Sequence, residues 1–180
     1  MKKTISVAAF LFVILLIAFQ PGYAATLSLP KDTPVKVYFS PKGGCTEAII
    51  NEIDQAKTEI LVQAYSFTSA PIAKALLNAH KKGVKVQAIL DKSQRSEKYT
   101  SATFLTNAGI PTYIDDKHTI AHNKIMIIDK AKVITGSFNF TKAAEEKNAE
   151  NILIISSKEL AKPYLENWQR HREHSEPYGR

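Results

Sequence analysis

A single cysteine in 180 residues, Cys45, excludes any disulfide within the chain. It stands near the start of an expected helix and reads as a small, inert packing residue. In an oxidising compartment the alternative is a cross-chain bridge or a reactive thiol. Acid is also scarce: 17 Asp and Glu against 24 Lys and Arg give a formal charge of +7. That balance favours an acidic partner, nucleic acid or an anionic lipid surface, against the plainer reading of lysine kept for solubility. No internal repeat and no low-complexity tract is present, which argues against a solenoid or a disordered array. No zinc finger or other base-reading module is visible, and residues 25–180 hold no obvious amphipathic membrane helix.

Long apolar runs are confined to the N-terminus. MKKTISVAAFLFVILLIAFQPGYA places Lys2 and Lys3 before an apolar stretch from Val7 to Phe19, then Gly22 and Ala24. The stretch is short of the ~20 residues that span a bilayer. Residues 1–24 therefore read as a secretory signal cut after Ala24, with an uncleaved anchor as the alternative. Cleavage removes two lysines and no acid, so the charge falls from +7 to +5, and residues 25–180 remain as one domain, periplasmic or secreted.

Strand-like and helix-like segments then alternate. VKVYFS (35–40) precedes a PKGG loop and a helix that Thr46 can cap, burying Ile49, Ile50 and Ile53. EILVQAYSF follows as a nearly continuous apolar strand. The next helix has Ser69 as its cap, Pro71 in its first turn and Gly83 at its close. VKVQAIL, a helix with Phe104 and Leu105, and the strand IPTYID come next. AHNKIMIID and VITGSFNF are separated by only a few residues and predict a hairpin. NAENILIIS gives a further strand, and a terminal helix turns Leu160, Tyr164, Leu165 and Trp168 inward. The expected fold is α/β: one mixed sheet with helices on both faces, in a single domain.

HNKIMIID (122–129) carries the chemistry. A two-residue spacing on a strand projects His122 and Lys124 from one face, pairing a side chain that can attack or carry protons with a fixed positive charge. Such a pair suits a phosphate. If Lys130 and Ala131 form a two-residue turn, Asn139 lies across from His122 and Ser137 across from Lys124. Lys-Ala is a poor tight turn, however, and a longer loop that slips the register by one would scatter the cluster. Gly136 suits a close approach of backbone or ligand, or a bulge. Glu150, in a neighbouring strand, can accept from the second ring nitrogen of His122. Asp129, an odd seven residues on from His122, falls on the opposite strand face and is expected to organise the turn or an ion pair.

HNKIMIID resembles the HxKxxxxD motif of the phospholipase D superfamily. GSFNF and NAEN resemble its GSxN and downstream Glu elements, in the same order and at similar spacing. The match covers His122 to Asn151. It implies that His122, Lys124, Asp129 and Glu150 belong to the catalytic motif, with Lys124, Ser137 and Asn139 holding substrate. Most members of the superfamily carry the motif twice; this chain carries it once, which implies a homodimer sharing one active site. The resemblance further implies a phosphohistidine on His122, no metal or other cofactor, and a sequence-nonspecific endonuclease acting on DNA or RNA, as in the superfamily's small periplasmic members. No stable membrane association is expected after signal cleavage. The competing functions are a phospholipase or cardiolipin hydrolase, and a basic module that grips phosphate without turnover.

Weaker features stand beside these. Asp115, Asp116, His118 and His122 suggest a rival metal cluster, against a solvated acidic turn. Gly43 and Gly44 offer amides to a phosphate or simply a flexible turn. His80 is expected at a helix end, and His171 and His174 on a solvated helix face. Lys81, Lys82, Lys92, Arg95 and Lys98 would track a nucleic-acid backbone if folding gathered them.

Overall fold

A computed structural model of the chain describes residues 24–97 and 100–179. The expected signal, Ala24 apart, lies outside the described residues. None of the described helices is long and apolar enough to cross a membrane. The elements in chain order are β1 (Val35–Ser40), α1 (Cys45–Asp54), β2 (Glu59–Ala64), α2 (Ala70–Lys81), β3 (Lys85–Asp91), a 3-10 turn (Lys92–Arg95), α3 (Ser101–Asn107), β4 (Thr112–Asp115), β5 (Lys124–Ile128), β6 (Lys132–Gly136), α4 (Lys142–Glu146), β7 (Glu150–Ser156), α5 (Lys158–His174) and β8 (Glu176–Pro177). The described strands form one sheet in the order β1-β7-β6-β5-β2-β3-β4-β8. β2, β3 and β4 run parallel, while the remaining neighbours are antiparallel.

The apolar run Ile125–Ile128 is continuous because both faces of β5 are covered. Met126 and Ile128 enter the core under α1–α4, with Ile49, Ile53, Ile72, Leu76, Leu105, Phe138 and Phe140. Ile125 and Ile127 enter the second core with Leu61, Ile89 and Val133, beneath Ala161 and Trp168 of α5. Each such large side chain contributes about 1.5–3 kcal/mol by leaving water. Trp168 also satisfies its indole N–H by donating to the Val62 carbonyl at 3.0 Å, which ties α5 to the central strand. Ser157 caps α5 by accepting from the Leu160 N–H at 3.1 Å. The expected layers are thus present, with four helices on one face and α5 on the other.

Local boundaries differ in several places: β5 begins at Lys124, so His122 lies just before the strand expected to carry it, and β6 ends at Gly136. Gly44, in the left-handed region at φ 80°, takes the cap position of α1, so Thr46 lies inside the first turn. β2 stops at Ala64, and Phe67 forms only an isolated bridge to Phe140. The sequence reading also missed β8, a two-residue strand that pairs with β4 after α5 ends.

Candidate active site

The carboxyl ends of β2, β3 and β4 open onto the rim where β5 begins, the place where ligands sit on sheets of this kind. Ala64, the last residue of β2, pairs with Lys124, the first of β5. Just beyond, the Tyr65 N–H donates to the Asn123 carbonyl at 2.8 Å. His122 is exposed and packs its ring against Tyr65 with centroids 4.6 Å apart. Neither ring nitrogen of His122 has a hydrogen-bond partner among the described residues. Lys124 is the opposite case, only 7% exposed. Its ammonium donates to the His122 carbonyl at 2.9 Å and lies 5.3 Å from the Tyr65 ring centroid. Burial draws its pKa below the ordinary lysine value, and the charge of Glu150 works against that shift. An exposed imidazole beside a desolvated ammonium can receive a phosphate. Tyr65 was not among the residues singled out from sequence, although its place after a parallel strand's carboxyl end is the signal that would have found it.

The hairpin register differs by one from the expected pairing. Asp129 and Lys130 both adopt left-handed backbone at φ 52°, and the Ala131 N–H donates to the Ile128 carbonyl at 3.0 Å. The connection therefore holds three residues. Ile128 pairs with Lys132 and Ile125 with Thr135, so Gly136, not Ser137, stands across from Lys124. The polar set is not scattered over both faces as a plain slip would require, because a bulge follows at once. The Ser137 and Phe138 N–H groups both donate to the Asn151 carbonyl, at 3.1 and 3.3 Å, setting two residues of one strand against one of its neighbour. Gly136 permits this approach: a Cβ there would lie 2.2 Å from the Asn151 carbonyl oxygen.

Past the bulge, Phe138 and Phe140 fill the core while Ser137 and Asn139 remain at the rim. Ser137 Oγ accepts from the Asn151 backbone N–H at 3.1 Å and its amide at 3.4 Å. The Asn139 side-chain oxygen is buried without a partner among the described residues. Glu150 opens β7 and accepts from the Asn148 amide at 3.2 Å. Within one chain its charge is felt by Lys124, and it makes no hydrogen bond to His122.

Asp129 stands at the far end of β5, on the order of 20 Å from His122 at strand rise. Its carboxylate accepts from the N–H groups of Lys57 (2.9 Å), Thr58 (2.7 Å) and Glu59 (3.0 Å) and from the Thr58 hydroxyl (2.8 Å). It fastens the loop before β2 to the hairpin turn, the structural role its odd spacing implied. Burial pushes its pKa up, but these donors outweigh burial and hold it below the usual carboxylate range. A depressed folded value gives stability that is present above the unfolded pKa of about 4 and lost as pH falls through the folded one. Asp129→Ala is expected to cost about 2–3 kcal/mol at pH 7, with the difference from wild type shrinking toward pH 3. Urea unfolding at both pH values measures this, and turnover per folded molecule should be unchanged.

Other weak features resolve clearly. The amides at the start of α1 are already taken: Gly44 and Thr46 N–H groups donate to the Glu145 carboxylate at 3.0 and 2.7 Å, so a protein anion occupies the place expected for a phosphate. Cys45 is fully buried, and burial, aided by the Glu145 charge, pushes its thiol up to about 11, as suits an inert residue. Lys92 and Arg95 follow the carboxyl end of β3, on the rim of the site, whereas Lys81 and Lys82 precede its amino end. The basic residues are thus not gathered on one track, and Lys98 lies outside the described residues.

The rival cluster is recomposed. Asp115 and His118 do meet, with Nδ1 at 3.0 Å from the carboxylate, but Asp116 and His122 are not with them. His171 and His174 complete the group instead, against the expectation of a solvated face.

The family model described as cardiolipin synthase, PLD-like domain, matches residues 49–172, a span that holds the hairpin, the bulge and Glu150. The chain belongs to the phospholipase D superfamily. Among curated proteins of that superfamily, the phospholipase D of Rickettsia conorii is 51% identical over 134 residues, covering 74% of this chain and 67% of the relative. The mouse mitochondrial cardiolipin hydrolase is 31% identical over 122 residues, covering 68% of this chain and 55% of the relative. Among solved structures, the phospholipase D family member Nuc from Salmonella typhimurium superposes with a TM-score of 0.78 at 41% identity, covering 82% of this chain and 99% of that one. The mixed sheet of this chain is therefore a phospholipase D-like fold, and a hydrolase acting on phosphodiesters is the class to which it belongs.

Proposed function

We propose that the protein is a sequence-nonspecific endonuclease of the periplasm or exterior, hydrolysing DNA or RNA through a phosphohistidine at a site shared by two copies. The observation that carries the reading is the exposed His122 ring set beside the buried Lys124 ammonium at the sheet rim, once per chain. His122 attacks phosphorus and the P–O bond to the leaving oxygen breaks. His122 of the second copy protonates that oxygen. The same ring then takes a proton from water as the water attacks, and the P–N bond to the first His122 breaks. Lys124 and Asn139 hold nonbridging oxygens, Ser137 and Glu150 support them, and no metal is needed where two ammoniums and two imidazoles supply the charge.

Pairing is supported by the sheet face beside the site. Val35, Val37 and Phe39 of the edge strand β1 remain uncovered, Phe39 at 66%, and Ser40 pairs with Glu150 at the same rim. A second copy is the occupant argued for, because one motif supplies one imidazole and the reaction needs two. Mixing His122→Ala subunits with wild-type subunits should give heterodimers with turnover far below half that of wild type. Half the turnover of the wild-type dimer, which is full activity per wild-type subunit, would mean that each chain works alone.

The nucleic-acid reading rests on the basic charge, +5 once residues 1–24 are removed, and on likeness to the superfamily's small endonucleases. A phospholipid substrate is the second reading, favoured by the names of the curated relatives. An open groove of about 500 Å³ reaches from His122 and Lys124 to Leu160, Pro163 and Tyr164 of α5 and would receive either chain. Purified protein offered plasmid DNA, RNA and cardiolipin vesicles, each with and without chelator, decides between them. Chelator-resistant cleavage of DNA is expected; hydrolysis of lipid alone would establish the second reading, and binding without turnover would leave a phosphate-gripping module.

A further inference from the structure

The second cluster of chemistry lies at the end of β4, apart from the reacting histidine. Asp115 is fully buried and is the last residue of β4. Around its carboxylate stand His118 Nδ1 at 3.0 Å, His171 Nδ1 at 2.6 Å and His174 Nε2 at 3.3 Å. The three rings crowd one another, with centroids 4.8 to 5.4 Å apart. His171 and His174 are three residues apart on α5 and so share one helix face. His118 is three residues beyond Asp115 on the loop that leads into β5. Two of the three rings hydrogen-bond this carboxylate. His118 and His171 share it, and the His174 Nε2 is buried without a hydrogen bond.

We propose that Asp115, His118, His171 and His174 bind one transition-metal ion of the Zn2+ class. The four donor atoms lie within 4.8 Å of one another, and the carboxylate-to-nitrogen distances of 2.6 to 3.3 Å reach up to the edge of about 3.3 Å of a tetrahedron with bonds near 2.0–2.1 Å. Three imidazoles and a carboxylate suit zinc, cobalt, nickel or copper, whereas calcium and magnesium take oxygen donors. All four protein ligands are present and closed around the position, the arrangement of a structural site. Its mechanical effect is to fasten the last turn of α5 to the loop that carries the chain from β4 to His122. That loop is also held from beneath, where the Ala121 N–H donates to the buried Asp91 carboxylate at 2.7 Å. The ion would set the base of the catalytic loop without touching the reacting phosphate.

Calorimetric titration of metal-stripped full-length protein with ZnCl2 and with MgCl2 tests this, together with the visible spectrum after addition of CoCl2. One Zn2+ per chain, intense cobalt bands of tetrahedral coordination and no Mg2+ binding are expected. His118→Ala alters a partly exposed ring and should preserve the fold by circular dichroism while weakening Zn2+ by more than about 100-fold, beyond what outer-shell partners cost. His171→Ala with His174→Ala should abolish binding. His80→Ala and His122→Ala, outside the cluster, should bind as wild type does. Absence of stoichiometric Zn2+ binding, or equal affinity in His118→Ala and wild type, would overturn the site.

Discussion

Replacing His122 with asparagine is expected to lower turnover by at least about 10³-fold, since removing a nucleophile that also serves as proton carrier removes two steps at once. The fold should not notice. The ring is exposed, accepts and donates no hydrogen bond among the described residues, and packs against Tyr65. The melting temperature should therefore stay close to that of wild type, and nucleic-acid binding should persist, because Lys124 and the basic rim residues remain. Steady-state cleavage alongside thermal unfolding and filter binding separates the three quantities. Turnover near the wild-type rate in a folded variant would remove His122 from the chemistry.

Lys124→Met should cost about 10²–10³ in turnover while leaving stability equal or slightly higher. The side chain is buried and its ammonium desolvated, so an apolar chain of similar length fills the same space without the burden of a charge out of water. What is lost is the fixed positive charge at the developing phosphorane. Lys124→Arg keeps the charge but brings a planar fork that does not fit a pocket bounded by Tyr65 and the His122 carbonyl, so it should restore only part of the rate. A Lys124→Met protein with undiminished turnover would show that phosphate charge is met elsewhere.

Much of this arrangement was legible in the sequence because strand periodicity and chemistry coincided. The two-residue step from His122 to Lys124 marked the pair, although β5 begins only at Lys124 and the two side chains meet around Tyr65 instead of sharing a strand face. The odd offset of Asp129 assigned it to the turn, where three backbone N–H groups now point at it. The register was not legible. Nothing in Asp129-Lys130-Ala131 announces two consecutive left-handed residues, and the bulge at Ser137 and Phe138 depends on how closely Gly136 passes Asn151 on a different strand. The occupied α1 N-terminus was hidden for a similar reason, since Glu145 reaches it only through the tertiary fold. His171 is a different kind of miss. It lies three residues after Trp168 and continues the inward stripe of α5, yet its polarity suggested solvent. What it faces is the buried Asp115, a charge whose position no helical pattern reveals.

The proposed mechanism passes through a covalent bond between His122 and phosphorus. Rapid acid-limited quenching of a single turnover on a 32P-labelled diester, followed by peptide mapping, measures it directly. Label should appear on the His122 peptide before the hydrolysed product accumulates, should be stable to base and labile to acid, and should be missing from the asparagine variant. Full product formation with no label on His122 at any quench time would contradict the account.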